Sequence, residues 1–168
     1  MQRQRRIKKQ SKVKVSWIIT LVILILLFAG FVVLHEAQKP MVTAKNQTVT
    51  LAKKYADLKT VEAFYASNLG KTYYSVAGTT NKQKPIYVIV AKKGGNVTVV
   101  DQSSGLSEQR IRSLIVQTKQ PKKINSISLT LIKNKPYWVV SYLNSKSNLC
   151  YATLSFKTGT VKKLIENI

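Results

Sequence analysis

Displaced by 64 positions, the chain falls on itself: Lys71, Tyr73, Val76, Lys82, Tyr87, Lys93, Gly95 and Val97 coincide with Lys135, Tyr137, Val140, Lys146, Tyr151, Lys157, Gly159 and Val161 without a gap. Turn residues meet turn residues and strand aromatics meet strand aromatics, so physical roles are kept along with letters. Tyr74 falls on Trp138, an exchange of two large, flat, amphipathic groups. An extended solenoid needs about three or more stacked units, so two copies must bury their faces against each other as a compact pair.

The copies are expected at residues 43–102 and 103–168. In the first, Thr43 offers an N-cap, and Leu51, Tyr55 and Leu58 recur at helical spacing. Short strands are then predicted over 61–65, 71–78, 85–91 and 97–101, with Gly94-Gly95-Asn96 as a tight hairpin. In the second, Ser107 caps a helix with Glu108 in its first turn. Ile111, Leu114, Ile115 and Thr118 form its stripe, and Pro121 ends it. Ile127, Leu129 and Leu131 alternate along the next strand, closed by Asn134-Lys135. Strands over 137–143, 149–156 and 161–165 follow. One helix across one face of a four-stranded antiparallel sheet would cover each copy's apolar side, an α+β design.

Ahead of the repeat, residues 15–34 carry no charge and are almost entirely Leu, Ile, Val and Phe. Twenty residues at 1.5 Å rise make roughly 30 Å, the thickness of a bilayer's hydrocarbon core, and a helix satisfies its own backbone there. Arg3, Arg5, Arg6, Lys8, Lys9, Lys12 and Lys14 precede the run, whereas only Lys39 and Lys45 follow closely. The basic tail, 1–14, is therefore expected in the cytoplasm and the repeat outside the cell membrane, as a single-pass protein. A cleaved signal peptide is the rival, but the run exceeds a typical h-region, and Leu34-His35-Glu36-Ala37 is a poor cleavage site. Residues 35–42, with Pro40, are expected to be a short polar connector.

The chain carries 28 Lys and Arg against 6 Asp and Glu; with seven bases in the tail, 21 oppose 6 beyond it. Such a field favours anionic polymers or head groups, and serves solubility equally well. The outer bases are Lys except Arg110 and Arg112. Lys is a point charge without the planar fork that reads guanine, so sequence-specific nucleic-acid recognition is not expected. Zinc needs three or four His, Cys or carboxylate ligands, and the chain has one His and one Cys. No metal or cofactor is expected. The six acids lie in separate elements, His35 is in the connector and Cys150 in a strand, so no paired carboxylates or nucleophile with its base stand out. The expected protein is not an enzyme.

The segment Pro136-Tyr-Trp-Val-Val-Ser-Tyr142, a polar turn, and Leu149-Cys-Tyr-Ala-Thr-Leu-Ser-Phe-Lys-Thr-Gly-Thr-Val161 resembles the PepSY pattern of an aromatic strand before a hairpin closing in Thr-Gly-x-Val. A second copy holds Lys71-Thr-Tyr-Tyr-Ser-Val-Ala-Gly78. With the basic tail and single span, the layout resembles the TseB-like cell wall elongation regulators of Gram-positive bacteria. The resemblance implies two tandem cystatin-like, PepSY-type modules outside the cell. It also implies a non-catalytic partner of peptidoglycan synthesis that contacts penicillin-binding proteins. Inhibition of an extracellular protease and binding of anionic wall polymer remain as alternatives. Tyr74, Tyr137, Trp138 and Tyr142 are candidates for a partner-binding groove, because aromatics combine stacking area with a polar tip. Strand alternation sends about half of such residues to the core instead.

Overall fold

The computed structural model describes residues 12–168. Helix α1, Lys12–Ala56, is followed by strands β1 Ala63–Ser67, β2 Tyr73–Thr79, β3 Pro85–Ala91 and β4 Val97–Asp101. A 3₁₀ turn, Gln102–Ser104, leads to helix α2, Glu108–Lys119, and to β5 Lys123–Ile132, β6 Lys135–Leu143, β7 Leu149–Ser155 and β8 Val161–Ile165. The strands form two four-stranded antiparallel sheets in chain order, β1 to β4 and β5 to β8. The expected α+β class is met. The basic tail at residues 1–11 lies outside the described residues.

The chain divides into two compact units, 1–42 and 43–168. In the first, the apolar helix reaches a mean hydropathy of 3.1 over its best window, and none of that window is buried. By length and composition it can cross a membrane. The connector expected at 35–42 is instead part of α1, which runs on through Pro40. Proline is unfavourable inside a helix because it lacks an N–H and crowds the carbonyl four residues back. The neighbours Glu36, Ala37, Gln38, Lys39 and Met41 are good helix formers, and Lys39 pairs with Glu36 one turn away.

In the second unit the end of α1 covers one face of the β1 to β4 sheet. Of Leu51, Tyr55 and Leu58, expected at helical spacing, Leu58 is buried just beyond the helix and Leu51 is half-buried, but Tyr55 is 59% exposed; within α1 the buried residues of this unit are Ala44, Thr48 and Ala52. These small residues recur every four positions and let the helix approach closely, with Thr48 returning its hydroxyl to the Ala44 carbonyl at 2.7 Å. Ala52 joins Leu58, Val76, Ile86, Val88 and Val90 in one cluster. Helix α2 begins as expected, with the Ser107 side chain accepting from the Arg110 N–H. It ends at Gln120 in a left-handed conformation, one residue before Pro121.

The opposite face of the first sheet, with Tyr65, Tyr73, Ala77, Tyr87 and Ile89, shares a single core with the second half of the chain. That half contributes Ile111 and Ile115 of α2 and, from its sheet, Leu129, Trp138, Val140, Cys150, Ala152 and Leu154. The first sheet is therefore packed on both faces. Ser75 in β2 donates its hydroxyl to the Leu129 carbonyl in β5 at 3.4 Å, placing a strand of one sheet against the other.

The sequence displacement has a structural counterpart. Both bounds of β3 and β4 fall on those of β7 and β8 at 64 residues. In the first strand the offset drops by one: Phe64 pairs with Val76, and Ile127 pairs with Val140. An irregularity between Ile124 and Ser126 lies in the same strand.

Candidate functional site

The four aromatics do not make one groove. Trp138 is fully buried and Tyr142 is 1% exposed. Both occupy the even positions of β6, the face that carries Val140 into the core. Tyr137 sits on the other face of the same strand, half-buried. Tyr74 is half-buried too, on the α1 side of β2, where its ring stacks on Phe64 at a centroid distance of 6.0 Å. The expectation of a shared aromatic groove is therefore corrected for Trp138 and Tyr142. They have no surface to offer a partner, for the reason that strand alternation supplies.

What Trp138 does instead is join the halves. Its ring meets Tyr65 and Tyr87 edge-on at 5.8 and 5.6 Å, and Phe156 meets Tyr87 edge-on at 5.9 Å. Edge-to-face contacts put the positive rim of one ring on the negative face of the next. Trp138 Nε1 donates to the Leu106 carbonyl at 2.9 Å, and the Leu106 N–H donates to the Phe156 carbonyl at 2.8 Å. The buried indole therefore keeps no unpaired polar atom.

Burial governs the tyrosines of this core. Burial first, and then the Glu108 carboxylate, raise the Tyr65 phenol well above its ordinary range. Tyr87 is pushed up to about 12, again by burial before the charge of Glu108. Tyr142, paired across the strands with Cys150, is likewise raised to about 12, by burial and then by the Cys150 thiol. These phenols stay neutral at physiological pH. Among the described residues no group of three or more His, Cys, Asp or Glu side chains is placed to hold a metal.

Tyr74 opens onto a cleft of about 480 Å³ between α1 and the first sheet, which it lines with Gln47, Thr48, Leu51, Val90 and Lys92. Sequence reasoning found Tyr74 and Leu51 but did not bring them together; Gln47 and Thr48 precede Leu51 on α1, and Val90 and Lys92 come from the end of β3 and the turn beyond it.

Residues 47–91, which supply most of this cleft, match the model of the cell wall elongation regulator TseB-like domain. That match supports a regulatory role in cell wall elongation, and the family is one of regulators. Among solved structures, the YpmB protein from Bacillus subtilis aligns with a TM-score of 0.62 at 25% identity, over 72% of this chain and 95% of its own. A candidate lipoprotein from Clostridium difficile 630 aligns with a TM-score of 0.40 at 15% identity, over 73% and 91% of the two chains. No curated protein matches the sequence. The TseB-like segment runs from the end of α1 to the last residue of β3, so it includes Tyr74 but neither Tyr137 nor Trp138.

Proposed function

We propose that this protein is a membrane-anchored regulator of cell wall elongation. Its basic tail lies in the cytoplasm, residues 15–34 cross the membrane, and residues 43–168 work outside as a binding scaffold for a penicillin-binding protein or another wall-synthesis enzyme. The observation that carries the reading is the TseB-like match over residues 47–91. Likeness to YpmB over nearly that protein's whole length supports it. In this reading 43–102 and 103–168 are two cystatin-like, PepSY-type modules, and the repetition of β3 and β4 as β7 and β8 is the trace of their duplication.

Contact through the cleft beside Tyr74 accords with the segment that the family model matches. Tyr137 is the other candidate aromatic that retains surface. Anchoring confines both partners to one membrane, which raises their effective concentration, so a modest interface suffices. The test has two parts. Trypsin added to intact protoplasts should degrade the 43–168 unit, and protection would overturn the topology. A photo-crosslinking residue at position 74 should capture a wall-synthesis enzyme in growing cells. Recovery of a secreted protease instead would favour an inhibitor, and recovery of no wall-synthesis enzyme would count against the scaffold.

A further inference from the structure

A second cleft, of about 640 Å³, opens where three turns of the 43–168 unit come together. The turn before β2 supplies Gly70 and Lys71, the β3–β4 hairpin supplies Lys92, Lys93 and Asn96, and the β5–β6 turn supplies Asn134. Each turn has a fixed shape. Gly70, Gly94 and Gly95 have φ of 80°, 82° and 62°, and Lys133 and Asn134 have φ of 49° and 60°. The adjacent left-handed pair Lys133-Asn134, between the paired Ile132 and Lys135, makes the type I′ geometry that suits a two-residue hairpin. The Lys92 N–H donates to the Thr72 carbonyl at 3.0 Å, and the Ala91 N–H donates to the Asn96 carbonyl at 3.0 Å, tying the hairpin to itself and to the neighbouring wall.

The electrostatics of this cleft are one-sided. No carboxylate lines it. Four ion pairs among the described residues engage Glu36, Asp101, Glu108 and Glu166, and none includes Lys71, Lys92 or Lys93. Asp57 accepts from the Asn81 amide at 2.6 Å. Lys133 and Lys135 stand exposed on either side of Asn134. Like charges gathered at one concavity repel one another, and an anion that enters relieves the repulsion.

One of these charges is also particular to the first half. Sixty-four residues on, Lys71 and Lys93 are matched by Lys135 and Lys157, but Lys92 is matched by Phe156, which is 1% exposed in the core. The second half has used the equivalent position for packing. In the first half it carries a charge to the cleft.

We propose that this cleft binds a phosphodiester-linked anionic polymer of the cell wall. The inference rests on the extracytoplasmic placement proposed above, but not on the contact with a wall-synthesis enzyme. Exposed lysines act as separate point charges without the fork that grips one phosphate bidentately. A single phosphate gains little from them. A chain of phosphates that runs past three turns gains at each one and releases bound counterions as it does so.

The full chain in uncharged detergent, titrated with a glycerol phosphate polymer of defined length, tests this. K71Q, K92Q and K93Q made together should weaken binding at least about tenfold and flatten its salt dependence by roughly two units of log–log slope. K157Q, K162Q and K163Q, which remove the same charge from exposed positions elsewhere, should cost less than about threefold. Equal losses from the two triples, or no polymer binding by the unmodified chain at low salt, would overturn the proposal. If the cleft triple does not fold, K92Q alone should still weaken binding about threefold, and no change would overturn it. Vesicles containing phosphatidylglycerol should bind both triples alike; a loss confined to the cleft triple would reassign the site to a membrane surface. Displacement of the polymer by inorganic phosphate too dilute to act as salt would overturn the polymer assignment. Protection from trypsin in protoplasts, with polymer binding intact, would instead remove the topology and leave the cleft's chemistry standing.

Discussion

The Tyr65 hydroxyl donates to Glu108 Oε2 at 3.0 Å, joining β1 of the first sheet to the opening turn of α2. Glu108 Oε1 simultaneously accepts from Arg112 Nη2, also at 3.0 Å. The carboxylate thus sits where a helix favours negative charge and serves both halves of the 43–168 unit. Hydrophobic packing is indifferent to small rotations, whereas this bond has a direction. It fixes how the aromatic cluster of Tyr65, Tyr87, Trp138 and Phe156 closes.

Tyr65→Phe should therefore destabilise the fold by about 1.5–2 kcal/mol, the lower part of the range for a bond to a charged group. The Glu108 side chain is 32% exposed, and water can replace the lost donor. Glu108→Gln should cost about as much, and the double variant less than the sum, with coupling above about 0.5 kcal/mol. Urea unfolding of the four proteins measures this; strict additivity would show that the bond does not couple the halves.

Alkaline pH should unfold the protein through the same tyrosines. A phenol in the unfolded chain ionises near pH 10, whereas Tyr87 and Tyr142 are raised to about 12 and Tyr65 is raised as well. A folded pKa above the unfolded one gives stability that is complete below the unfolded value and is lost as pH rises through the folded value. Urea midpoints should stay level up to about pH 10 and fall steeply towards about pH 12. Tyrosinate absorbance should rise together with unfolding, and Tyr87→Phe should make the fall shallower.

Much of this architecture is legible in the sequence. The duplicated turns give β3, β4 and β8 to the residue and β7 to within one, because glycine and hairpin chemistry act locally. Ser107, Glu108 and Pro121 delimit α2 for the same reason. The first strand is predicted about two residues early, since the chain between α1 and β2 is held by tertiary bonds such as the Glu62 N–H to the Ala77 carbonyl at 2.8 Å. The buried face of α1 is missed because Ala44, Thr48 and Ala52 are small, and hydrophobic periodicity is weighted towards large residues. Nor does local pattern show that Lys71, Lys92 and Asn134 share a cleft. They come from two sheets, and only packing brings them together.

Gly105 tests whether the passage from the first half to the second is as tight as it looks. A Cβ there would overlap the Phe156 ring and stand 2.6 Å from the Phe156 carbonyl oxygen. Backbone strain is not the issue, since its φ of −161° is ordinary extended geometry. Gly105→Ala should cost about 1–3 kcal/mol by overpacking, lowering the thermal midpoint. Gly70→Ala, at a turn with open space and a φ of 80°, should act through conformation alone and cost about 1 kcal/mol. A neutral Gly105→Ala would mean that Phe156 can move aside.

Cys150 reports on the same core from the inside. It is fully buried, pairs across the strands with Tyr142, and places Sγ 3.7 Å from the Asn148 carbonyl. A thiol so enclosed can react only when the core opens, and the core includes both sheets, so opening should require global unfolding. Maleimide labelling of the folded chain should therefore be slow, accelerating in urea in step with the loss of tertiary signal. Electrophoresis without reductant should show no disulfide-linked dimer. Cys150→Ala should cost about 1–2 kcal/mol, because removing the sulfur leaves a small void that the flanking strands cannot fill. Rapid labelling in native buffer would instead mean that β7 and β8 separate from the core by themselves, and the shared core could no longer be treated as one cooperative body.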